Sequence, residues 1–319
     1  MSATQGGART LPRRRGLGWG QRAEIALLSG PAILVFLTFV ILPVIMAVYY
    51  GFYRWQGYGP PTDFVWFQNY KVILTDPDFR SAVWHNAEIV ILSLLIQGPI
   101  AILLALLLNR KIRGRSLIRV LVFVPWVVSE VIAGTGWSLM LPVQGAINHL
   151  LTGLHVFGHV HIDWMGNTHL AIWTLMGILT WKYIGFAVIL LMAGLQNIPE
   201  ELYEAASIDG ATYWQQQRRI TLPLLGPTIR IWMFLSIIGA LQLFDLVYII
   251  WGQYNTSVAG VSTMATYMYQ NGKLAGNYGY GNAVAVTLFV ISLIVAVAYQ
   301  RLILRRDMSD GTTEGRKAR

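Results

Sequence analysis

The sequence contains no cysteine, and only 12% of its 319 residues are charged. Without cysteine, the chain can form no disulfide bond, thiolate metal site or cysteine nucleophile. A soluble domain has about 25% charged residues, so this low charge and the 55% of hydrophobic residues favour a membrane protein. The chain also lacks the phosphate-binding pattern G-x-x-x-x-G-K-S/T and the enzyme patterns G-x-S-x-G and H-E-x-x-H. These absences exclude ATP binding by a P-loop and leave no assembled catalytic set.

Six segments are long and apolar enough to cross a bilayer core, which requires about 20 helical residues. Their content of Leu, Ile and Val makes buried helices of a soluble protein a poor alternative. Several contain Pro or Gly, but neighbouring helices can satisfy the backbone groups that these residues free. We therefore predict an all-α membrane protein with these six spans: Ile25–Tyr50, Ile89–Leu108, Val120–Leu141, Leu170–Leu195, Ile229–Trp251 and Ala283–Leu304.

The lysines and arginines are distributed unevenly among the predicted loops. With the N-terminus inside, 19 of the 24 fall in the tails, the inner loops and the inner ends of the spans, four fall in the outer loops, and Lys182 lies near the middle of a span. Cytoplasmic loops carry an excess of Lys and Arg. We therefore predict a multi-pass protein of the cell (plasma or inner) membrane with both termini in the cytoplasm. The net charge of +9 follows from this topology and gives no reason to expect nucleic acid as a partner.

A polar segment, EAASIDGATYWQQQRRITLPLLGP, lies between the fourth and fifth predicted spans on the cytoplasmic side. A capping box starting at Asn197 predicts a first helix, which Gly210 would end in a left-handed conformation. A second capping box starting at Thr212 predicts another short helix, which Pro223 is expected to stop. The first helix carries acids, whereas a helix that rests on lipid carries Lys and Arg. The segment is therefore predicted to dock a protein partner.

The residues of this segment match the pattern E-A-A, three residues, G, nine residues, I, one residue, L-P. The pattern resembles the signature cytoplasmic loop in permease subunits of binding-protein-dependent ABC importers. The strings LLNRKIRGRSLIRVLVFVPW, ILTWKYIGFAVILLMAGLQNIPEELYEAASIDGA and IGALQLFDLVYII resemble the carbohydrate-uptake branch, which includes maltose and disaccharide permeases. The resemblance covers roughly residues 25–305. Gln217 departs from the pattern, because the family commonly has phenylalanine there, and the local packing of the loop is therefore open.

The resemblance implies a type I permease fold with six transmembrane helices and a cytoplasmic coupling helix between spans 4 and 5. It implies a non-catalytic chain that binds no cofactor and works with a second homologous permease, two ATPase subunits that use ATP and Mg, an external sugar-binding protein and membrane lipid. Import of an oligosaccharide or disaccharide is the implied function. The alternatives are glycerol phosphate or another polyol as the substrate, or a proton-driven secondary transporter. The implied ATPase-docking residues are Glu204, Ala205, Ala206, Asp209, Gly210, Ile220, Leu222 and Pro223.

Charged residues within the predicted spans are candidates for a solute path, because a charge in the bilayer is costly and usually faces the bundle interior. One interpretation is a structural ion pair between Lys182 and Glu130. The other is a polar lining for a sugar, with Gln97 among the partners of its hydroxyl groups and aromatic rings, Trp173 and Trp181 among them, stacked on it. The predicted path residues are Glu130, Trp137, Lys182, Gln242, Asp245 and Tyr248.

The remaining polar features lie in the outer loops and the tails. His155 and His159 have the spacing of zinc ligands on a helix, but their loop is broken by glycine, and no metal site is predicted. The outer loop Gly51–His85 resembles the family's first external segment, which meets the binding protein, and a simple linker is the alternative. The predicted organisation is a cytoplasmic tail (1–24), a first helix with its external loop (25–84), a permease domain (85–304) and a cytoplasmic tail (305–319).

Overall fold

The computed structural model describes residues 19–110, 112–154, 161–257 and 259–304. Most of these residues are helical, with one isolated bridge between Tyr53 and Phe64. The helices are α1 (Trp19–Phe36), α2 (Leu42–Gly51), α3 (Gln68–Thr75), α4 (Pro77–Leu92), α5 (Gly98–Asn109), α6 (Arg115–Val127), α7 (Glu130–Met140), α8 (Ala146–Gly153), α9 (Thr168–Gln196), α10 (Glu201–Ile208), α11 (Tyr213–Gln216), α12 (Leu222–Leu241), α13 (Asp245–Asn255), α14 (Met264–Met268) and α15 (Tyr278–Tyr299).

Short π-helical segments extend or join several of these helices. One of them, Ser93–Gln97, lies between α4 and α5, and another, Gln217–Thr221, lies between α11 and α12. A π turn places one extra residue in the helix and often marks a functional site. The other π-helical segments are Leu37–Ile41, Tyr269–Leu274 and Gln300–Leu304.

The chain divides into two compact units, Met1–Ala47 and Val48–Arg319. Within the described residues, five helical stretches are long and apolar enough to cross a membrane, and there are six if the bent pair of α6 and α7 counts as one span. The predicted all-α architecture with six spans is confirmed in this sense. The five stretches are Leu27–Gly51, Pro77–Asn109, Thr168–Gln196, Tyr213–Leu241 and Tyr278–Ile303.

Two predicted spans are broken in the structure. The predicted third span, Val120–Leu141, contains a bend of 97° between α6 and α7. The predicted fifth span, Ile229–Trp251, is wrong at both ends, because the long apolar helix is Tyr213–Leu241 and α13 is a separate helix. Hydropathy detects the apolar length of such a segment but not a change of direction inside it.

The breaks are stabilised by side chains from distant helices. Asn86 is fully buried, and its Nδ2 donates to the carbonyl oxygen of Ala240 at 2.6 Å, where α12 ends. Its Oδ1 accepts from the amide of Met264 at 2.8 Å. The hydroxyl of Thr263 donates to the carbonyl of Leu243 at 2.7 Å. These bonds give partners to the carbonyl oxygens of Ala240 and Leu243 and to the amide of Met264 at the break, as a membrane interior requires.

Helix α9 lies at the centre of the second unit and packs against α5, α6 and α12. Leu175, Val188 and Leu191 on this helix are fully buried. Gly185 lets α6 approach closely, since a Cβ atom there would lie 2.6 Å from the carbonyl oxygen of Val122. Gly194 does the same for α12, where a Cβ atom would collide with the hydroxyl of Thr228.

The outer loop between the first and second spans is folded and packed against α14. The phenol of Tyr267 on α14 donates to Oδ2 of Asp76 at 2.6 Å. Asp76 also caps α4, because its Oδ1 accepts from the amide of Asp78 at 2.7 Å. Burial raises the pKa of Tyr267, and the bond to Asp76 raises it further, so the phenol remains a donor. The simple-linker alternative is therefore wrong, and contact with a binding protein stays a prediction.

Candidate functional site

The polar loop contains a short helix, α10, followed by a left-handed glycine. Gly210 has φ +74°, as the sequence predicted. The amide of Gly210 bonds to the carbonyl of Ser207, and that of Ala211 to the carbonyl of Ala206. This is the common way to end a helix, and glycine adopts the conformation without the steric cost that a Cβ atom brings.

The start of α10 differs from the prediction. Asn197 lies at the C-terminal end of α9, and the residue before α10, Glu200, has helical backbone angles without a side-chain capping bond. The first capping box is therefore wrong, because α9 continues further than expected and uses Asn197 at its own end. The second capping box is confirmed: the amide of Thr212 donates to Oε1 of Gln215 at 2.7 Å.

Pro223 does not stop the helix that follows Gly210. From Tyr213 to Leu241 the chain forms one helical stretch of 29 residues, so the expected stop is wrong. Pro223 lies in the first turn of α12, directly after the π-helical segment Gln217–Thr221. The wider turn accommodates a residue that has no amide hydrogen to donate. The loop is thus connected through Gly210 to a continuous helix that crosses the bundle.

Side-chain bonds fix α10 to the base of this long helix. The phenol of Tyr203 lies 3.0 Å from the hydroxyl of Thr221. On the other side of Gly210, Nε2 of Gln216 donates to the hydroxyl of Ser207 at 3.0 Å. Gln217, where the family pattern has phenylalanine, is only 8% exposed and lies in this packed base. The side chain of Gln217 therefore packs inside the protein at the position where the family pattern has phenylalanine.

The free face of α10 is acidic and partly apolar. Glu201, Glu204 and Asp209 are exposed, and among the described residues none of them forms an ion pair. Ile208 is 87% exposed beside them. These exposed side chains are therefore available to a partner.

The predicted docking residues form two groups in the structure. Glu204, Ala205, Asp209 and Gly210 are exposed on α10 and its end, and Ala206 is half-buried there. Ile220 is half-buried at the base of the long helix, where Leu222 and Pro223 are exposed. Only the first group lies on α10, so the second group supports the loop from the long helix.

Lys182 lies at the bend of the third span and is only 2% exposed. Its ammonium group donates to the carbonyl oxygens of Pro125 at 3.0 Å, Trp126 at 3.0 Å and Val128 at 2.6 Å. These carbonyls end α6, where a positive charge also compensates the helix dipole. Lys182 and Glu130, both in the described part of the chain, form no ion pair, so that interpretation is wrong.

Glu130 lies in the first turn of α7, directly after the bend. Its Oε1 accepts a hydrogen bond of 2.6 Å from the phenol of Tyr183. Asp245 is the first residue of α13. Helices α7 and α13 pack closely, since a Cβ atom on Gly134 would lie 2.8 Å from Ile249. Glu130 and Asp245 thus lie at the N-termini of two helices that pack together, where the helix dipole favours negative charge.

A cavity of about 220 Å³ lies beside Tyr183. Its wall is formed by residues of α4, α6, α9, α12 and the π-helical segment Ser93–Gln97. The hydroxyl of Ser93 donates to Oε1 of Gln97 at 2.8 Å and lies 2.7 Å from the hydroxyl of Ser236. The lining therefore combines hydroxyl and amide groups with the aromatic rings of Trp126, Tyr183, Phe186 and Trp232.

None of the six predicted path residues lines this cavity. Glu130 contacts the cavity only indirectly, through its hydrogen bond with the lining residue Tyr183. Tyr183 lies in the string ILTWKYIGFAVILLMAGLQNIPEELYEAASIDGA, whose resemblance to the family was noted above. Trp137 packs on Trp181 with ring centroids 5.5 Å apart, and Tyr248 packs between two other rings. Gln242 and Asp245 are exposed near the break after α12. Trp126, Trp232, Ser93 and Ser236 were missed because nothing in a single span distinguishes them from packing residues.

His155 and His159 lie outside the described residues. Within the described ranges, no group of three or more His, Cys, Asp or Glu side chains is placed to hold a metal ion.

Three comparisons relate this chain to known proteins. Residues 97–308 match the family described as binding-protein-dependent transport system inner membrane component. The trehalose/maltose transport system permease protein MalF of Thermococcus litoralis is 32% identical over 279 residues, which cover 87% of this chain and 92% of MalF. The arabinooligosaccharides transport system permease protein AraP of Bacillus subtilis is 31% identical over 291 residues, 90% of this chain and 91% of AraP.

A solved structure has the same fold. It is a bacterial alginate ABC transporter in complex with an alginate pentasaccharide-bound periplasmic protein. The matched chain aligns with a TM-score of 0.77 at 26% identity, covering 90% of this chain and 97% of that chain.

Proposed function

This chain belongs to the family of binding-protein-dependent transport system inner membrane components, and we propose that it forms half of the path through which an ATP-driven importer carries an oligosaccharide or disaccharide. The similar proteins named for trehalose, maltose and arabinooligosaccharides support a sugar substrate. The observation that carries the coupling mechanism is the left-handed Gly210, which connects an exposed acidic helix to a continuous helix across the bundle.

The proposed partner of α10 is an ATPase subunit with a basic cleft. Glu204 and Asp209 offer unpaired carboxylates, and Ile208 offers an apolar contact beside them. The ATPase would bind ATP and Mg, since this sequence has no P-loop. Two ATPase subunits and two permeases are expected in the complete importer, and the periplasmic protein in the alginate transporter complex supports an external sugar-binding protein as a further partner.

Motion of α10 would pass to the cavity through the long helix. Tyr203 and Thr221 hold α10 against the base of this helix, and Ser207 and Gln216 add a second bond across Gly210. The other end of the same helix supplies cavity-lining residues, Ser236 among them. A shift imposed on α10 at one end therefore changes the cavity wall at the other.

The chemistry of the cavity suits a sugar. Aromatic rings stack on the apolar faces of pyranoses, and Ser93, Gln97 and Ser236 supply donors and acceptors for hydroxyl groups. A volume of about 220 Å³ is below the roughly 300–1,000 Å³ of typical ligand pockets. This supports a path that a second, homologous permease completes.

The alternatives receive less support. A proton-driven carrier would move protons through Glu130 and Lys182, but the ammonium group of Lys182 bonds to three backbone carbonyls. A glycerol-phosphate or polyol importer would have the same architecture, but the similar proteins are named for sugars. The cytoplasmic position of both termini and the four-part organisation of the chain remain part of the proposal.

Reconstitution tests the proposed function. The chain is co-purified with the permease, ATPase and binding protein encoded beside it, and placed in vesicles. Uptake of maltose, trehalose or arabinotriose is expected only with ATP and the binding protein, together with sugar-stimulated ATP hydrolysis. Concentrative uptake by vesicles that contain this chain without an ATPase would contradict the proposal.

A further inference from the structure

Two acidic residues lie at the neighbouring N-termini of α7 and α13. Glu130 is the first residue of α7, and Asp245 is the first residue of α13. One turn further along each helix, a Cβ atom on Gly134 would lie 2.8 Å from Ile249, so the helices are in contact there. Chain order gives the third and fifth spans the same direction across the membrane. The two carboxylates are therefore side by side at the start of the paired helices.

Both acidic residues adjoin residues of the cavity wall. Oε1 of Glu130 accepts a hydrogen bond of 2.6 Å from Tyr183, which lines the cavity. Asp245 follows the lining residue Leu243 by two positions and is exposed. A carboxylate in a membrane-spanning segment is costly, and it usually faces a partner group or a water-filled path. The neighbouring cavity provides such a path.

The positive charge in this region does not cancel the two negative charges. Among the described residues, neither Glu130 nor Asp245 forms an ion pair. The nearby cation is Lys182, whose ammonium group bonds to three backbone carbonyls. One lysine and two carboxylates leave an excess of negative charge, and the residues that line the cavity are all uncharged. In a membrane protein's interior such an excess acts over a longer distance than in water.

We propose that Glu130 and Asp245 select sugars by charge, so that neutral and amino sugars enter the cavity and acidic sugars are repelled. This inference rests on the proposed function, because it assigns the substrate class of the same cavity. The negative potential attracts the ammonium group of an amino sugar and raises the free energy of a uronate or a sugar phosphate. The rings and hydroxyl groups of the wall offer the same contacts to all of these sugars, so the carboxylates determine the preference.

The absence of cysteine from the chain allows a direct test in the complete importer complex. Ser236→Cys introduces a thiol in the cavity wall, and Tyr58→Cys introduces a reference thiol, because Tyr58 is 88% exposed. The rates of modification by a cationic and an anionic methanethiosulfonate of similar size are measured, and the rate with the cysteine-free chain is subtracted. The ratio of the cationic to the anionic rate is expected to be about tenfold higher at Ser236→Cys than at Tyr58→Cys.

Amide variants identify the source of this preference. Glu130→Gln and Asp245→Asn each remove one charge, and glutamine at position 130 still accepts the hydrogen bond from Tyr183. The rate ratio at Ser236→Cys is expected to fall in each single variant and to reach the reference value or less in the double variant. Asp78→Asn, which removes an exposed acid at the start of α4, should leave the ratio unchanged. The single variants provide the answer if the double variant does not fold.

Charged monosaccharides test the same preference with sugars and without the binding protein. Protection of the Ser236→Cys thiol from a neutral methanethiosulfonate is measured with glucosamine, glucose and glucuronate at equal concentrations. Glucosamine and glucose are expected to protect the thiol, and glucuronate is expected to bind about tenfold more weakly. In the double amide variant, glucuronate is expected to protect as well as glucose.

Three results would overturn selection by charge. They are a rate ratio at Ser236→Cys equal to that at Tyr58→Cys, an unchanged ratio in the amide variants, and equal protection by glucuronate and glucose with both acids present. If no reagent reached Ser236→Cys, or if no sugar protected it, the proposed function itself would be contradicted, because the cavity would then lie outside the sugar path.

Discussion

The ammonium group of Lys182 lies 2.6 Å from the carbonyl oxygen of Val128, at the point where the third span turns through 97°. A lysine from the central helix thus replaces the amide donors that a continuous helix would have provided. The bend brings Trp126 to the cavity wall on one side and Glu130 to Tyr183 on the other. One buried cation therefore supports two parts of the proposed path.

Replacing Lys182 by methionine is expected to destabilise the protein by about 3 kcal/mol or more. The apolar side chain fills a similar volume but leaves the carbonyls of Pro125, Trp126 and Val128 without donors. Thermal unfolding of the purified protein measures the loss. The control is Lys273→Met, since Lys273 is exposed. Equal unfolding temperatures for the two variants would show that the three bonds contribute nothing.

The variant Tyr183→Phe separates transport from folding. It keeps the aromatic ring at the cavity and removes the hydroxyl that binds Glu130. A hydrogen bond to a charged group contributes about 1.5–3 kcal/mol, so sugar uptake in the reconstituted importer is expected to fall by about tenfold or more. Tyr58→Phe serves as the control because Tyr58 is 88% exposed. Wild-type uptake by Tyr183→Phe would remove Glu130 and Tyr183 from the path.

Charge reversal at Glu204 is expected to uncouple ATP hydrolysis from transport. The variant Glu204→Lys places a positive charge against the proposed basic cleft, and breaking a desolvated charge pair costs about 3–5 kcal/mol. Sugar-stimulated ATP hydrolysis and binding of the ATPase subunit are measured together. Glu24→Lys changes an exposed acid on α1, outside the polar loop, and should behave as wild type. Intact coupling in Glu204→Lys would argue against docking through this face.

A side chain at Gly210 tests the left-handed turn. No atom lies within 4 Å of a Cβ atom built there, so the effect of Gly210→Val comes from the backbone alone. The conformation costs residues with a Cβ atom about 1–2 kcal/mol, and coupling is expected to weaken. Gly210→Asn should retain more activity, because asparagine tolerates this conformation better. Gly177→Ala, in an equally open position inside α9, should not impair coupling.

The sequence was sufficient to predict the helical class, the number of spans and the position of the acidic loop, because each depends on local composition or spacing. It was insufficient for the breaks at Val128 and Leu241, whose free carbonyls are satisfied by Lys182, Asn86 and Thr263 from distant segments. The interpretation of Lys182 and Glu130 as an ion pair was wrong for the same reason: the charge pattern shows that Lys182 needs partners in the membrane but not that three carbonyls provide them.

The length of the helix that follows Gly210 determines how far its distant end moves when its base rotates. At 1.5 Å per residue, the 29 residues from Tyr213 to Leu241 form a rod of about 43 Å. A tilt of about 5° at its base would displace the far tip by about 4 Å, which is close to the thickness of a sugar ring. If the proposed ATPase rotates the base of this helix, the length of the helix therefore turns a small rotation into a larger displacement at the cavity end.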